Sequence, residues 1–104
     1  MAKAFKISPR IPSRLYKNVL GENDLVIVIL EHIDYLLKIR GERSPFGYAA
    51  YSISKIKEPL STIRKTLKNI KGASVVTERI IRELLDTRQS TYFENLLKDY
   101  LNST

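Results

Sequence analysis

Cysteine and tryptophan are absent from this 104-residue chain, and histidine and methionine occur once each. Without cysteine there is no disulfide, no thiolate nucleophile and no cysteine-ligated zinc, a composition that fits a reducing compartment. The lone histidine, His32, has no second imidazole to share a metal with, and the carboxylates are scattered, so no metal-ligand set and no catalytic site is legible. We read His32, flanked by Glu31 and Asp34, as a surface or internally satisfied residue rather than a base or ligand. Long apolar runs are missing too. The longest, Leu25 to Leu30, is far too short to span a bilayer, and no charged-then-apolar leader opens the chain. A soluble, intracellular protein is expected, with cytoplasm, nucleoid, nucleus and virion all left open. Proline and glycine are scarce at four each, and 43% of residues are hydrophobic, which points to a folded chain. The length suits one core rather than two.

The formal charge of +7 is unevenly placed. Residues 1–20 carry Lys3, Lys6, Arg10, Arg14 and Lys17 and no acid, a net of +5. From Lys55 to Arg82, eight bases stand against Glu58 and Glu78, a net of +6, while the stretches Glu22–Arg43 and Glu83–Thr104 are each −2. Segregated positive charge implies a polyanionic partner, nucleic acid before an anionic membrane surface. A lysine-rich face that is merely solvated is the plainer alternative.

Pro9 and Pro12 interrupt residues 1–20, which match neither helical nor strand periodicity, so an extended basic arm is expected there, with Phe5, Ile7, Ile11, Leu15 and Tyr16 able to dock part of it. Residues 21–104 read as one all-α domain of five short helices. Asn23 is a plausible N-cap for a helix ending at Gly41, with Val26, Ile29, Leu30, Ile33, Leu36 and Leu37 at helical spacing. Ser44-Pro45 opens a second helix burying Phe46, Ala49, Ala50, Ile53 and Ile56, and Pro59 ends it. A third helix begins at Ser61 or Thr62, with Ile63, Leu67 and Ile70 inward and Arg64, Lys65 and Lys68 outward, and Gly72 breaks it. Ser74 caps a fourth, Val75 to about Thr87, burying Val76, Ile80 and Leu84 with the neighbouring row Ile81 and Leu85. Ser90 caps a fifth, with Phe93, Leu96, Leu97, Tyr100 and Leu101 on one face.

The turn Ile70-Lys71-Gly72-Ala73-Ser74 is the leading functional candidate. Glycine permits a sharp turn and close backbone approach, and the following helix start adds unpaired N–H donors and a partial positive charge, an arrangement that suits a phosphate. Lys68, Lys71 and Arg79 flank it and could add ionic contacts. Lys55, Lys57, Arg64 and Lys65, with Arg10 and Arg14 from the arm, complete the candidate set, and Lys98 is a further reasonable contact. Tyr48 and Tyr51, three apart on the second helix, could stack on an exposed base. Core packing is the expected role for Tyr51, with both roles open for Tyr48.

The order of residues from Leu25 to Leu101 resembles the N-terminal helix-hairpin-helix domain of family X DNA polymerases, the DNA polymerase beta type, a module related to one in structure-specific endonucleases. Gly41-Glu42 with Pro45-Phe46, then Ala50-Tyr51, then Ile70 to Ser74, then Glu83-Leu84-Leu85-Asp86-Thr87 with Tyr92 and Leu96 carry the likeness. The resemblance implies a non-specific grip on the DNA backbone. Departures narrow it: Ser74 replaces the second glycine of the family's Gly-x-Gly hairpin, and Gly47, Ala49, Ser52 and Ile53 stand where basic residues are usual. The lysine used by some members as a lyase nucleophile falls on Ile80, or on Arg79 with a one-residue gap. Isoleucine has no amine and arginine stays protonated. The polymerase catalytic domain is not in this chain.

The expectation is therefore a non-catalytic, cofactor-free binder of DNA, duplex or gapped and branched, mostly indifferent to sequence. A protein-interaction module of the same fold is the rival, docking a nuclease, polymerase or structural partner. The apolar first turns of the first helix, Leu25, Ile27 and Val28 included, favour that rival or a homodimer. A residual lyase working through an unaligned lysine such as Lys71 ranks last.

Overall fold

A helix carrying six consecutive apolar residues can bury them only if neighbours surround it, and the first helix has that position. The computed structural model describes residues 20–102, and the expected arm, residues 1–20, lies outside them except for Leu20. Five helical segments and no strand are found among the described residues: α1 (Glu22–Ile39), α2 (Phe46–Ser54), a 3₁₀ segment (Leu60–Asn69), α3 (Val75–Thr87) and α4 (Thr91–Asn102). None is long and apolar enough to cross a membrane.

Every residue from Leu25 to Leu30 is buried, with Ile33, Leu36 and Leu37 continuing the core, because α2, α3, α4 and the 3₁₀ segment all pack on α1. Leu25, Ile27 and Val28, expected to offer an apolar face to a partner or a second copy, are covered by the chain's own helices. That ground for a partner through α1 is gone. Gly41 ends the helix as predicted: at φ +77° it lets its N–H donate to the Lys38 carbonyl (2.9 Å) while the Glu42 N–H donates to the Leu37 carbonyl (3.0 Å), the Schellman pattern.

The start of α1 differs from expectation. Gly21 is the N-cap, with no side-chain bond, and Asn23 lies one residue inside the helix. Its side chain reaches across the fold instead: Nδ2 donates to the Glu58 carbonyl (2.9 Å) and Oδ1 accepts from the Leu60 N–H (2.9 Å). Glu22 accepts from the Ser61 N–H at 2.7 Å. The first turn of α1 thus caps the 3₁₀ segment, whose proline-led start, after Pro59, has no capping side chain of its own. Removing both bonds with Asn23→Ala costs about 1–3 kcal/mol. The check is a thermal melt, where the midpoint should fall by roughly 4–8 °C per kcal/mol for a domain of this size.

The predicted third helix is a kinked 3₁₀ segment, with Ile63 at φ −123°, ψ 31°. The carbonyls an α-helix would use are engaged: Thr62 Oγ1 donates to Pro59 O (2.6 Å), Thr66 Oγ1 to Ile63 O (3.1 Å) and Arg82 Nη2 to Arg64 O (2.8 Å). Leu67 and Ile70 are buried and Ile63 is half-buried, as the pattern required. Helix α2 opens one residue later than read, with Pro45 as the N-cap in helical conformation, although the Phe46 N–H still donates to Ser44 Oγ (3.1 Å), and it stops at Ser54, before Pro59.

Ser74 caps α3 and Ser90 caps α4, their hydroxyls accepting from Thr77 N (3.2 Å) and Phe93 N (3.1 Å). On α3 the buried stripe is Thr77, Ile80, Ile81 and Leu84, so Val76, expected inside, is exposed. Arg88 takes a left-handed conformation, φ 60°, at the end of α3, and its guanidinium donates to the Leu20 carbonyl. Leu20 packs half-buried on the core.

Candidate nucleic-acid interface

The turn between the 3₁₀ segment and α3 is closed by the Ala73 N–H donating to the Ile70 carbonyl (3.0 Å), with Gly72 in third position at φ +85°. That is the value a type II turn requires there. A Cβ on Gly72 would lie 2.7 Å from Tyr48 Cδ2 and 3.1 Å from the Ala49 nitrogen. The glycine therefore also lets α2 close onto the turn, and the space expected to admit a ligand to its backbone is filled by the Tyr48 ring. Ala73 is half-buried against the core. Ser74, in place of a second glycine, uses its hydroxyl as the α3 cap and also contacts Thr77 Oγ1 at 3.2 Å. What the turn leaves for an anion is the first turn of α3, where the Val75 and Val76 N–H groups have no intrahelical carbonyl to donate to. Val75 is 72% exposed.

The basic residues divide into two groups. Arg64 is half-buried and paired with Asp86 (2.7 Å), while Arg82 pairs with Glu78 (2.9 Å) and holds the Arg64 carbonyl, so both serve the packing of α3 on the 3₁₀ segment. Lys55, Lys57, Lys65, Lys68, Lys71 and Arg79 are exposed, and no ion pair among the described residues engages any of them. Of these, Lys57 stands apart beside Glu22 and Asp24 at the start of α1. Arg10 and Arg14 lie outside the described residues.

Lys55 and Lys71, sixteen positions apart in sequence, meet at one open groove of about 510 Å³ between α2 and the 3₁₀ segment. Tyr48 and Tyr51 line it, with Ile56 and Ile70. Tyr51, expected in the core, is 59% exposed, and Tyr48 is 55% exposed. The Lys55 ammonium sits 5.0 Å from the centre of the Tyr51 ring, a cation–π distance. The groove was not anticipated as a unit, yet its α2 wall was signalled: Tyr48, Tyr51, Ser52 and Lys55 form an i, i+3, i+4, i+7 stripe opposite the buried Phe46, Ala49, Ala50 and Ile53. Its other wall comes from the 3₁₀ segment, whose geometry the sequence pattern did not reveal.

His32 is remote in character from these residues. It is 4% exposed, with its ring centroid 4.9 Å from that of Phe93, and burial lowers its pKa to about 4. No protein-family model, curated protein or solved structure matches the chain.

Proposed function

We propose that this protein is a non-catalytic, mostly sequence-independent DNA binder of the helix-hairpin-helix kind. In this reading the first turn of α3, positioned by the turn at Gly72, holds a backbone phosphate, Lys68, Lys71 and Arg79 supply ionic contacts, and the basic residues 1–20 act as an arm along the same polyanion. The carrying observation is the set of exposed cations on and beside the turn, none of them in an ion pair among the described residues, in a segment whose two other arginines are each paired with a carboxylate. Unpaired surface cations release counterions from DNA when they replace them at phosphates. The resemblance of four segments to the family X module supports the same reading. The absence of catalysis rests on chemistry: the aligned nucleophile position, Ile80, is buried apolar side chain, and its neighbour Arg79 has no deprotonated amine to offer.

Fluorescence-anisotropy titration with single-stranded, duplex, gapped and branched DNA at two salt concentrations tests this directly. Binding that weakens steeply with salt is expected. No binding to any form at low salt would transfer the reading to the protein-interaction module, for which Tyr35 and Ile39, exposed one turn apart on α1, and Val75 and Val76, exposed at the start of α3, offer apolar surface. Because Leu20 is packed and bonded to Arg88, the arm is best removed as residues 1–19. That deletion takes away all five arm cations and should lower the log–log salt slope by up to about four units on duplex DNA, with the helical circular dichroism of the remainder unchanged.

A further inference from the structure

We infer that the start of α3 docks the protein on an anionic lipid surface, with Val75 and Val76 entering the interface and Lys68, Lys71 and Arg79 meeting headgroup phosphates. This goes beyond the DNA-binding reading and does not depend on it. The first observation is where the two valines lie. Val75 is 72% exposed, more than any other large apolar side chain among the described residues, and its neighbour Val76 is 41% exposed. Helix α3 does not need them: its core side is Thr77, Ile80, Ile81 and Leu84, and β-branched residues are among the poorer helix formers. Single exposed apolar residues are ordinary on a folded surface. Two in succession, set among cations, are a more specific feature.

The second observation is that charge. Lys71 stands in the turn just before Ser74, with Lys68 three residues earlier, and Arg79 follows Val75 by four residues and Val76 by three, on their side of α3. All three bases are exposed, and no ion pair among the described residues engages them. Glu78, the one acid between Lys68 and Arg82, is half-buried and paired with Arg82 at 2.9 Å, so its charge is offset where it stands. Tyr48, 55% exposed with its ring against Gly72, borders the same turn, an apolar ring with a polar tip of the kind that settles at headgroup level. Phosphate attracts these cations whether a nucleic acid or a lipid carries it, but only a bilayer places an apolar layer just beneath its phosphates. Against a DNA backbone the valines would meet sugar and phosphate, whereas at a lipid surface they leave water while the cations stay at the charged level. Apolar insertion combined with a basic patch is the two-part pattern that gives reversible membrane binding, and each base near an anionic surface strengthens it by roughly fivefold.

The test uses the full chain with vesicles of phosphatidylcholine alone and of equal parts phosphatidylcholine and phosphatidylserine. In co-sedimentation the parent should bind the anionic vesicles at least roughly tenfold more tightly than the zwitterionic ones. The double variant Val75→Gln with Val76→Gln, which keeps every cation, should bind the anionic vesicles roughly tenfold more weakly than the parent and melt no earlier. Because the chain has no tryptophan, Val75→Trp places a single fluorophore at the docking point. Its emission should shift to the blue on anionic vesicles and be quenched by brominated acyl chains. Equal binding of anionic vesicles by the parent and the glutamine variant, with no tryptophan shift, would mean that charge alone holds the protein and overturns the insertion. Binding to duplex DNA with none to either vesicle also overturns it and assigns the cations to nucleic acid. Should the glutamine variant melt early, the tryptophan signal decides: shift and quenching uphold the docking, and their absence overturns it.

Discussion

Reversing two charges beside the turn, Lys68→Glu with Lys71→Glu, should weaken DNA binding by at least roughly tenfold at low salt and barely shift the melting temperature. Both side chains are exposed and no ion pair among the described residues engages either, so the folded state has little stake in their sign. Exposed substitutions of this kind change stability by less than about 0.5 kcal/mol. Lys68 lies in the last turn of the 3₁₀ segment, so its reversal adds at most a few tenths from the helix end. On the proposed DNA-binding reading affinity responds differently, because each lysine would replace a counterion at a phosphate and each reversed charge would repel one. Loss of two such contacts should lower the log–log salt slope on duplex DNA by about two units. Anisotropy at several salt concentrations reads both quantities, and a melt confirms the fold. Parental affinity and slope in the double variant would mean that the turn is not where DNA is held, whatever else on the surface binds it.

Helix boundaries were legible wherever a capping residue acts locally. Ser44, Ser74 and Ser90 bond the N–H groups two or three residues ahead of them, and Gly41 and Gly72 take the positive φ that any other residue resists. Asn23 shows where the same logic fails. Its side chain has the chemistry of a cap, but the N–H group it satisfies belongs to Leu60, thirty-seven residues away, and no local pattern announces a partner that distant. Thr77 misled for a related reason. Periodicity alone cannot decide between Val76 and Thr77 as the member of the buried stripe on α3. The structure buries the threonine because its hydroxyl meets Ser74 Oγ, which removes the usual cost of burying it. The candidate cations were readable as a charge cluster. Which of them are spent on the fold was not, since Arg64 with Asp86 is a tertiary pair. Tyr51 looked like core on composition, yet it stands on the groove side of α2 because Ala49, Ala50 and Ile53 already fill the face toward α1.

Acidification should destabilise the fold through His32 well before most carboxylates are protonated. In the unfolded chain this imidazole titrates near its ordinary 6.5, whereas burial on α1 against Phe93 lowers it to about 4. Between those values the unfolded state takes up a proton that the folded state refuses. Stability from this group is therefore complete above pH 6.5 and declines as pH falls toward 4, by about 3 kcal/mol over the whole interval. For a domain of this size that corresponds to a drop in melting temperature on the order of 10–25 °C. Carboxylates contribute to any acid melt, so the measurement is the difference between the parent and His32→Leu, which removes the titrating group and keeps an apolar side chain in its place. The two melting curves should converge or cross toward pH 4, with the parent losing much more than the variant between pH 7 and pH 4.5. As the chain has one histidine, its ring protons are identifiable by proton NMR without assignment, and in the folded protein they should hold the neutral shift down to about pH 5. A parent and variant that lose stability in parallel, or a ring that titrates near 6.5 in the folded state, would show that the imidazole reaches water and that the packing against Phe93 is looser than the structure describes.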